Sequence, residues 1–175
     1  KIITIHNTGL SKNKYVGNPV MACISYTVFD EMKKAGHKRV IQIKNGINID
    51  LISSKNLHIN QNKSSFHLVQ VGRLWCEQKG QDLLIKAISF LKDKGYDNIH
   101  VDLIGEGESE MYLKKMVEDE GVNHQISFLG NRSREYIYSH LCDYDLFVQP
   151  SYYEGFGLTV AEAMLSKIPV LVSDI

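Results

Sequence analysis

The chain has 175 residues, 43% of them hydrophobic and 23% charged, enough apolar material for one good core, or for one domain and part of another. Twenty basic residues offset twenty acidic ones and no basic run interleaves with aromatics, which argues against nucleic acid as a partner. No apolar stretch reaches the length of a membrane span, no signal peptide is visible, and the three scattered cysteines (Cys23, Cys76, Cys142) suit reduced thiols in a cytoplasm better than a disulfide framework.

Residues 1–5 read as a buried strand ending at His6-Asn7, followed by a polar loop with Gly9, Gly17 and Pro19. Val20 to Ser25 is apolar again, Tyr26 to Ala35 is helix-like and closed by Gly36, and Arg39 to Ile43 makes another short strand. Asn45-Gly46 predicts a turn. Residues 51–65 are polar and read as a linker, so 1–50 is expected to be the end of one domain and 66–175 another. Beyond it the rhythm is regular, with strands expected at Phe66–Val71, Ile99–Ile104, Gln125–Leu129, Leu146–Gln149 and Val170–Ser173. Between them Gln81–Lys94 has apolar residues at Leu84, Ala87, Ile88 and Leu91, and Glu110–Glu120 has them at Leu113, Met116 and Val117. Ser133 is placed to cap a helix running to Leu141, and Leu158–Leu165 has helical composition. Alternation of this kind predicts an α/β fold: a Rossmann-like parallel sheet with helices on both faces, binding its ligand at the carboxyl ends of the strands. No internal repeat is present. The sequons at Asn62 and Asn131 read as accidental, and both chain ends, Lys1 and Ile175, read as cut, the domain at the end being truncated.

Candidate site residues fall at those strand ends. After the Leu146–Gln149 strand, Pro150-Ser151-Tyr152-Tyr153-Glu154-Gly155-Phe156-Gly157-Leu158-Thr159 makes a glycine turn running into a helix start, a combination suited to an anion or a sugar. Glu154 stands before the glycines; Glu162, with seven residues between, sits about one turn into the helix. Read alone, the pair is a solvated loop residue and an ordinary surface helix residue. After Val71, the stretch Gly72-Arg73-Leu74-Trp75-Cys76-Glu77-Gln78-Lys79 supplies two cations able to converge on a diphosphate, or simply a surface Arg and Lys. Gly105-Glu106-Gly107-Glu108 lacks a full dinucleotide pattern and reads as a tight connection, with Glu106 given no role. Gly130-Asn131-Arg132 is either a base-reading turn or a solvated loop. Asp143-Tyr144-Asp145 falls at the amino end of its strand, opposite the binding edge, and is not read as a metal motif; the histidines lack ligand spacing.

The segment from Pro150 to Met164, with Pro169-Val170 after it, resembles the donor-site signature of glycosyltransferase family 4, retaining enzymes of the GT-B fold, over roughly residues 38–175. The resemblance implies a C-terminal nucleotide-sugar-binding domain preceded by a remnant of the N-terminal one. It implies transfer of a sugar from a UDP- or GDP-sugar to a saccharide, lipid or other hydroxyl acceptor, without metal or cofactor. By the same resemblance Arg73 and Lys79 hold the donor diphosphate, Gly72 and the Gly155–Thr159 turn line it, Glu154 meets the sugar and Glu162 the ribose. Gly130, Asn131 and Arg132 lie near the base, and His6 faces the acceptor. Asn45-Gly46-Ile47-Asn48 is similar to the family's interdomain turn. A cytoplasmic enzyme is expected, inactive as this piece alone, with peripheral membrane contact left to the missing N-terminal part. The rival reading is a non-catalytic module that binds a nucleotide sugar; an NAD-dependent oxidoreductase is disfavoured because Gly72-Arg73 replaces a glycine triplet.

Overall fold

Strand β4 (Phe66–Val71) lies at the centre of the larger sheet, and its last four residues are buried. The computed structural model describes residues 1–6, 17–55 and 64–174; the loop around Gly9, the middle of the expected linker, Asn62 and Ile175 lie outside the described residues. Strands β5 (Ile99–Ile104) and β6 (Ile126–Gly130) extend the sheet on one side of β4. Strands β7 (Leu146–Gln149) and β8 (Val170–Val172) extend it on the other, giving the order β6-β5-β4-β7-β8, all parallel. Successive side chains point to opposite faces. Leu68, Val101, Leu103 and Val148 pack with α3 (Gln81–Asp93) and α4 (Glu110–Asp119). Val69, Val71, Ile104 and Phe147 pack on the other face with residues of α5 (Arg134–His140) and α6 (Leu158–Leu165). This is the doubly covered parallel sheet that the alternation predicts.

Most elements stop within a residue or two of expectation. Ser133 caps α5 by accepting from the Tyr136 amide at 3.2 Å, and the chain past His140 tightens into a 3-10 turn, Leu141–Asp143. One helix was not foreseen: α2 (Cys76–Lys79) occupies what reads as plain loop, and Gly80 closes it with φ 65°. Four residues are too few to show a helical period.

The chain leaves β4 toward β5 and β6, then returns to β4's other side as β7. Strand order reverses there, opening a crevice at the carboxyl ends of β4 and β7. Beside it, the loops after β4 and β5 are laced together. Gly72 N donates to the Ile104 carbonyl at 2.9 Å, Leu74 N to Glu106 at 3.0 Å, and Ser109 N to Leu74 at 3.0 Å. Gly105 permits this approach: at φ +140°, a Cβ built on it would stand 2.0 Å from the Gly72 carbonyl oxygen.

The expected linker is partly docked. Ser53 N donates to the Tyr138 carbonyl and Lys55 N to Ser166. The Lys55 ammonium reaches Tyr144 O and Asp145 Oδ1, at 2.5 and 2.9 Å, while Asp145 Oδ2 accepts from the His67 amide at 3.0 Å. Of the described residues 51–55, Lys55 spends its polar side chain on the chain just before β7, while Ser53 and Ser54 are exposed. Asp145, the second acid of Asp143-Tyr144-Asp145, thereby secures the amino end of β7.

By its contacts the chain divides into residues 48–153 with 159–175, and residues 1–47 with 154–158. The smaller unit has strands β1 (Ile2–Ile5), β2 (Val20–Cys23) and β3 (Val40–Gln42) in parallel, with helix α1 (Tyr26–Lys34). Its core is Ile5, Met21, Cys23, Val28, Met32 and Val40. No turn forms at Asn45-Gly46; residues 43–48 carry the chain without regular structure into a 3-10 turn at Ile49–Leu51.

Gly105→Ala combines an unfavourable φ with a backbone clash, so it should cost about 3 kcal/mol or more. Urea denaturation reads this directly. A loss under about 1 kcal/mol would mean that the laced loops separate without penalty to the sheet.

Candidate functional site

A pocket of about 430 Å³ opens at the carboxyl edge of the larger sheet, lined by Val71, Gly72, Arg73, Ile104, Gly105, Glu106, Asn131 and Ile137. Three strand ends contribute: β4 delivers Gly72 and Arg73, β5 delivers Gly105 and Glu106, and β6 delivers Asn131. Of the predicted residues the pocket unites Gly72, Arg73 and Asn131, and the Lys79 stem runs close by, its Cε 4.0 Å from where a Gly72 Cβ would stand.

The cation loop is fixed by its backbone. Gln70, buried within β4, donates to the Lys79 carbonyl at 2.9 Å; Gln81 donates to the Arg73 carbonyl at 2.9 Å. Ser109 Oγ accepts from the Cys76 amide at 3.1 Å, and Tyr152 N donates to Gln78 O at 2.8 Å, tying this loop to the one after β7. Arg73 and Lys79 therefore leave a rigid base. The Arg73 guanidinium itself is engaged, with Nε 3.0 Å from Glu108 Oε2 and its centre 5.6 Å from the Trp75 ring.

Glu106, which the sequence left without a role, lines the pocket and accepts weakly from the Asn131 amide at 3.4 Å. Its Oε1 lies 3.9 Å from where a Gly130 Cβ would stand. Its position between two glycines after a strand was the signal available. Gly130 adopts φ 68°, turning the chain so that Asn131 faces the pocket. Arg132 is instead placed over the Tyr136 ring at 5.3 Å.

Glu162 is not an ordinary surface helix residue. It is 6% exposed on α6, with Tyr138 Oη donating to its Oε1 at 3.2 Å. Burial pushes its carboxyl above the ordinary range, against the pull of the Tyr138 hydrogen bond and the Arg134 charge. Burial and the Glu162 charge likewise raise the Tyr138 phenol. Thr159 Oγ1 donates to Gln149 Oε1 at 2.9 Å, anchoring the first turn of α6 to the end of β7. The Ser151 hydroxyl beside it is buried, with no partner among the described residues.

In the smaller unit the turn 154–158 packs against the end of β1. A Cβ on Gly155 would lie 2.7 Å from the His6 carbonyl oxygen, so the glycine turn, expected to line the diphosphate, lies against the backbone of the residue expected on the acceptor side. Glu154 Oε1 accepts from the Gly155 amide at 3.2 Å, Phe156 is 44% exposed, and Gly157 takes φ 70° ahead of Leu158.

The family model described as glycosyl transferases group 1 matches residues 54–175. An uncharacterized glycosyltransferase of Methanocaldococcus jannaschii is 34% identical over 60% of this chain and 26% of its own. Protein CapJ of Staphylococcus aureus is 26% identical over 99% of this chain and 43% of its own. Among solved structures, a TarM mutant of S. aureus, in complex with fondaparinux, α-GlcNAc-glycerol and UDP, superposes with a TM-score of 0.74. It is 25% identical over 89% of this chain and 30% of that one. Anabaena HepE, in complex with UDP and glucose, gives 0.78 at 21% identity over 99% and 52% of the two chains. The chain spans less than half the length of these curated relatives.

Because the raised carboxyl binds its proton more tightly folded than unfolded, stability should fall as pH rises from the ordinary value of 4.5 through the folded value. The cost then persists at neutral pH. Glu162→Gln keeps an acceptor for Tyr138 and removes the charge, so thermal melts at pH 7 should show an equal or higher Tm and a flatter profile above pH 4.5. A Tm lower by about 5 °C at pH 7 would show that the charge is paired for stability.

Proposed function

The chain belongs to the group 1 glycosyl transferases, enzymes of the GT-B type of α/β fold, and we propose that it supplies the donor site of a retaining, family 4 enzyme acting in the cytoplasm. That enzyme moves a sugar from a UDP- or GDP-sugar to a hydroxyl on a saccharide, lipid or other acceptor. The observation that carries the reading is the pocket at the carboxyl ends of β4, β5 and β6, where a backbone-fixed loop presents Arg73 next to Gly72 and Asn131. Residues 66–175 would form the nucleotide-sugar domain, 51–65 the connection, and 1–50 the end of an acceptor-side domain.

In the proposed reaction the bond from the sugar C1 to the diphosphate oxygen breaks, and the acceptor oxygen bonds to C1 on the same face. The acceptor proton passes to the departing phosphate oxygen, so no protein base is needed. The difficulty is the charge that grows on the leaving diphosphate. Arg73 and Lys79 supply two positive charges, and the amides at the Gly155–Thr159 helix start add about half a charge. Such a site works without a divalent cation. By the family resemblance Glu154 is assigned to the sugar hydroxyls, Glu162 to the ribose, Gly130, Asn131 and Arg132 to the base, and His6 to the acceptor side. A buried carboxylate kept at a cost to stability supports the Glu162 assignment.

Turnover by the full-length enzyme tests this reading against the binding-only module. Arg73→Ala or Lys79→Ala should lower kcat about a hundredfold to a thousandfold, and EDTA should change little. Loss of activity in EDTA with rescue by manganese, while Lys79→Ala stays near wild type, would overturn the cation clamp. Calorimetry adds the ribose contact: Glu162→Ala should weaken nucleoside diphosphate binding about tenfold to a hundredfold. Unchanged affinity would remove Glu162 from the site.

A further inference from the structure

Arg73 already holds an anion. Its Nε lies 3.0 Å from Glu108 Oε2, and Glu108 comes from the loop after β5, which is laced to Arg73's own loop. The flanking backbone bonds, Leu74 N to Glu106 O and Ser109 N to Leu74 O, fix both Cα positions, so the fold builds this pairing. Trp75 lies against the guanidinium at 5.6 Å. Both paired side chains are largely solvent-exposed, 64% for Arg73 and 50% for Glu108, so water and salt screen the pair and it exchanges readily.

We propose that Glu108 is an affinity-setting residue: a carboxylate of the chain's own that competes with the donor diphosphate for Arg73. This rests on the assignment of Arg73 to the diphosphate. A diphosphate offers more charge and more acceptor oxygens than one carboxylate and prevails when bound. Binding must displace Glu108 and then tolerate a negative group close by. Once the sugar has left, the carboxylate reclaims the guanidinium, which favours release of the nucleoside diphosphate product. Glu108 thus lowers the affinity for donor and product alike and lets the site turn over.

The test is calorimetric titration of the full-length protein with whichever of UDP and GDP binds more tightly. Glu108→Gln should tighten binding about two- to fivefold, the range of an exposed ion pair, and the gain should fade at about 0.5 M salt. Glu77→Gln, which removes a carboxylate from the adjoining groove surface without touching the pair, should leave affinity unchanged. Arg73→Ala should weaken binding and abolish the effect of Glu108→Gln. If Arg73→Ala weakens binding while Glu108→Gln leaves it unchanged or lowers it, competition is overturned and the Arg73 assignment stands. If Glu77→Gln tightens binding as much as Glu108→Gln, the effect is general surface charge and competition is overturned. If Arg73→Ala has no effect, the Arg73 assignment fails and takes this proposal with it.

Discussion

The close approach of the loops after β4 and β5 is the constraint on which the site depends. It exists because Gly105 has no side chain to strike the Gly72 carbonyl, and three backbone hydrogen bonds then hold the loops together. From that contact follow the placement of Arg73 at the pocket, the delivery of Glu106 beside Asn131, and the reach of Glu108 to the guanidinium. Had the loops diverged, the same residues would be separate charged groups on a solvated edge. A parallel sheet supplies the strand ends; the laced loops shape their edge into a pocket.

Electrostatics inside and at the rim of the larger unit differ in kind. Lys55 and Asp145 form a partly buried pair that also bonds to the Tyr144 carbonyl and the His67 amide, which serves the fold. Glu162 is buried with a neutral phenol as its hydrogen-bonding partner and has its carboxyl pushed upward, an arrangement that costs stability. Arg73 and Glu108 sit in solvent, where the pair is weak enough to be exchanged for a ligand. A charge that is secured, a charge that is tolerated and a charge that is exchangeable thus sit within one small domain.

The sheet was legible because its strands are short stretches rich in apolar residues: Phe66–Val71, Ile99–Ile104 and Leu146–Gln149 all stand where their composition put them. Helices α3 and α4 announced themselves by apolar spacing, and α5 by its Ser133 cap. What stayed hidden depends on contacts between segments distant in sequence. The polar stretch before Phe66 reads as a linker, yet Lys55 bonds to residues some ninety positions away. Burial of Glu162 depends on where α5 lies, which periodicity does not encode. Glu106 and Glu108 gain meaning only once β5 lies next to β4. The short helix α2 has too few residues to carry a pattern.

The central claim is that the edge carrying Gly72, Arg73 and Asn131 binds a nucleoside diphosphate through protein groups alone. The most direct measurement is a titration of isotope-labelled protein with UDP or GDP in EDTA, followed by amide chemical shifts. The account predicts saturable shifts at Gly72–Trp75, Glu106 and Gly130–Arg132, with Glu162 among the responders. Shifts confined to other surfaces, or appearing only after a divalent cation is added, would contradict it.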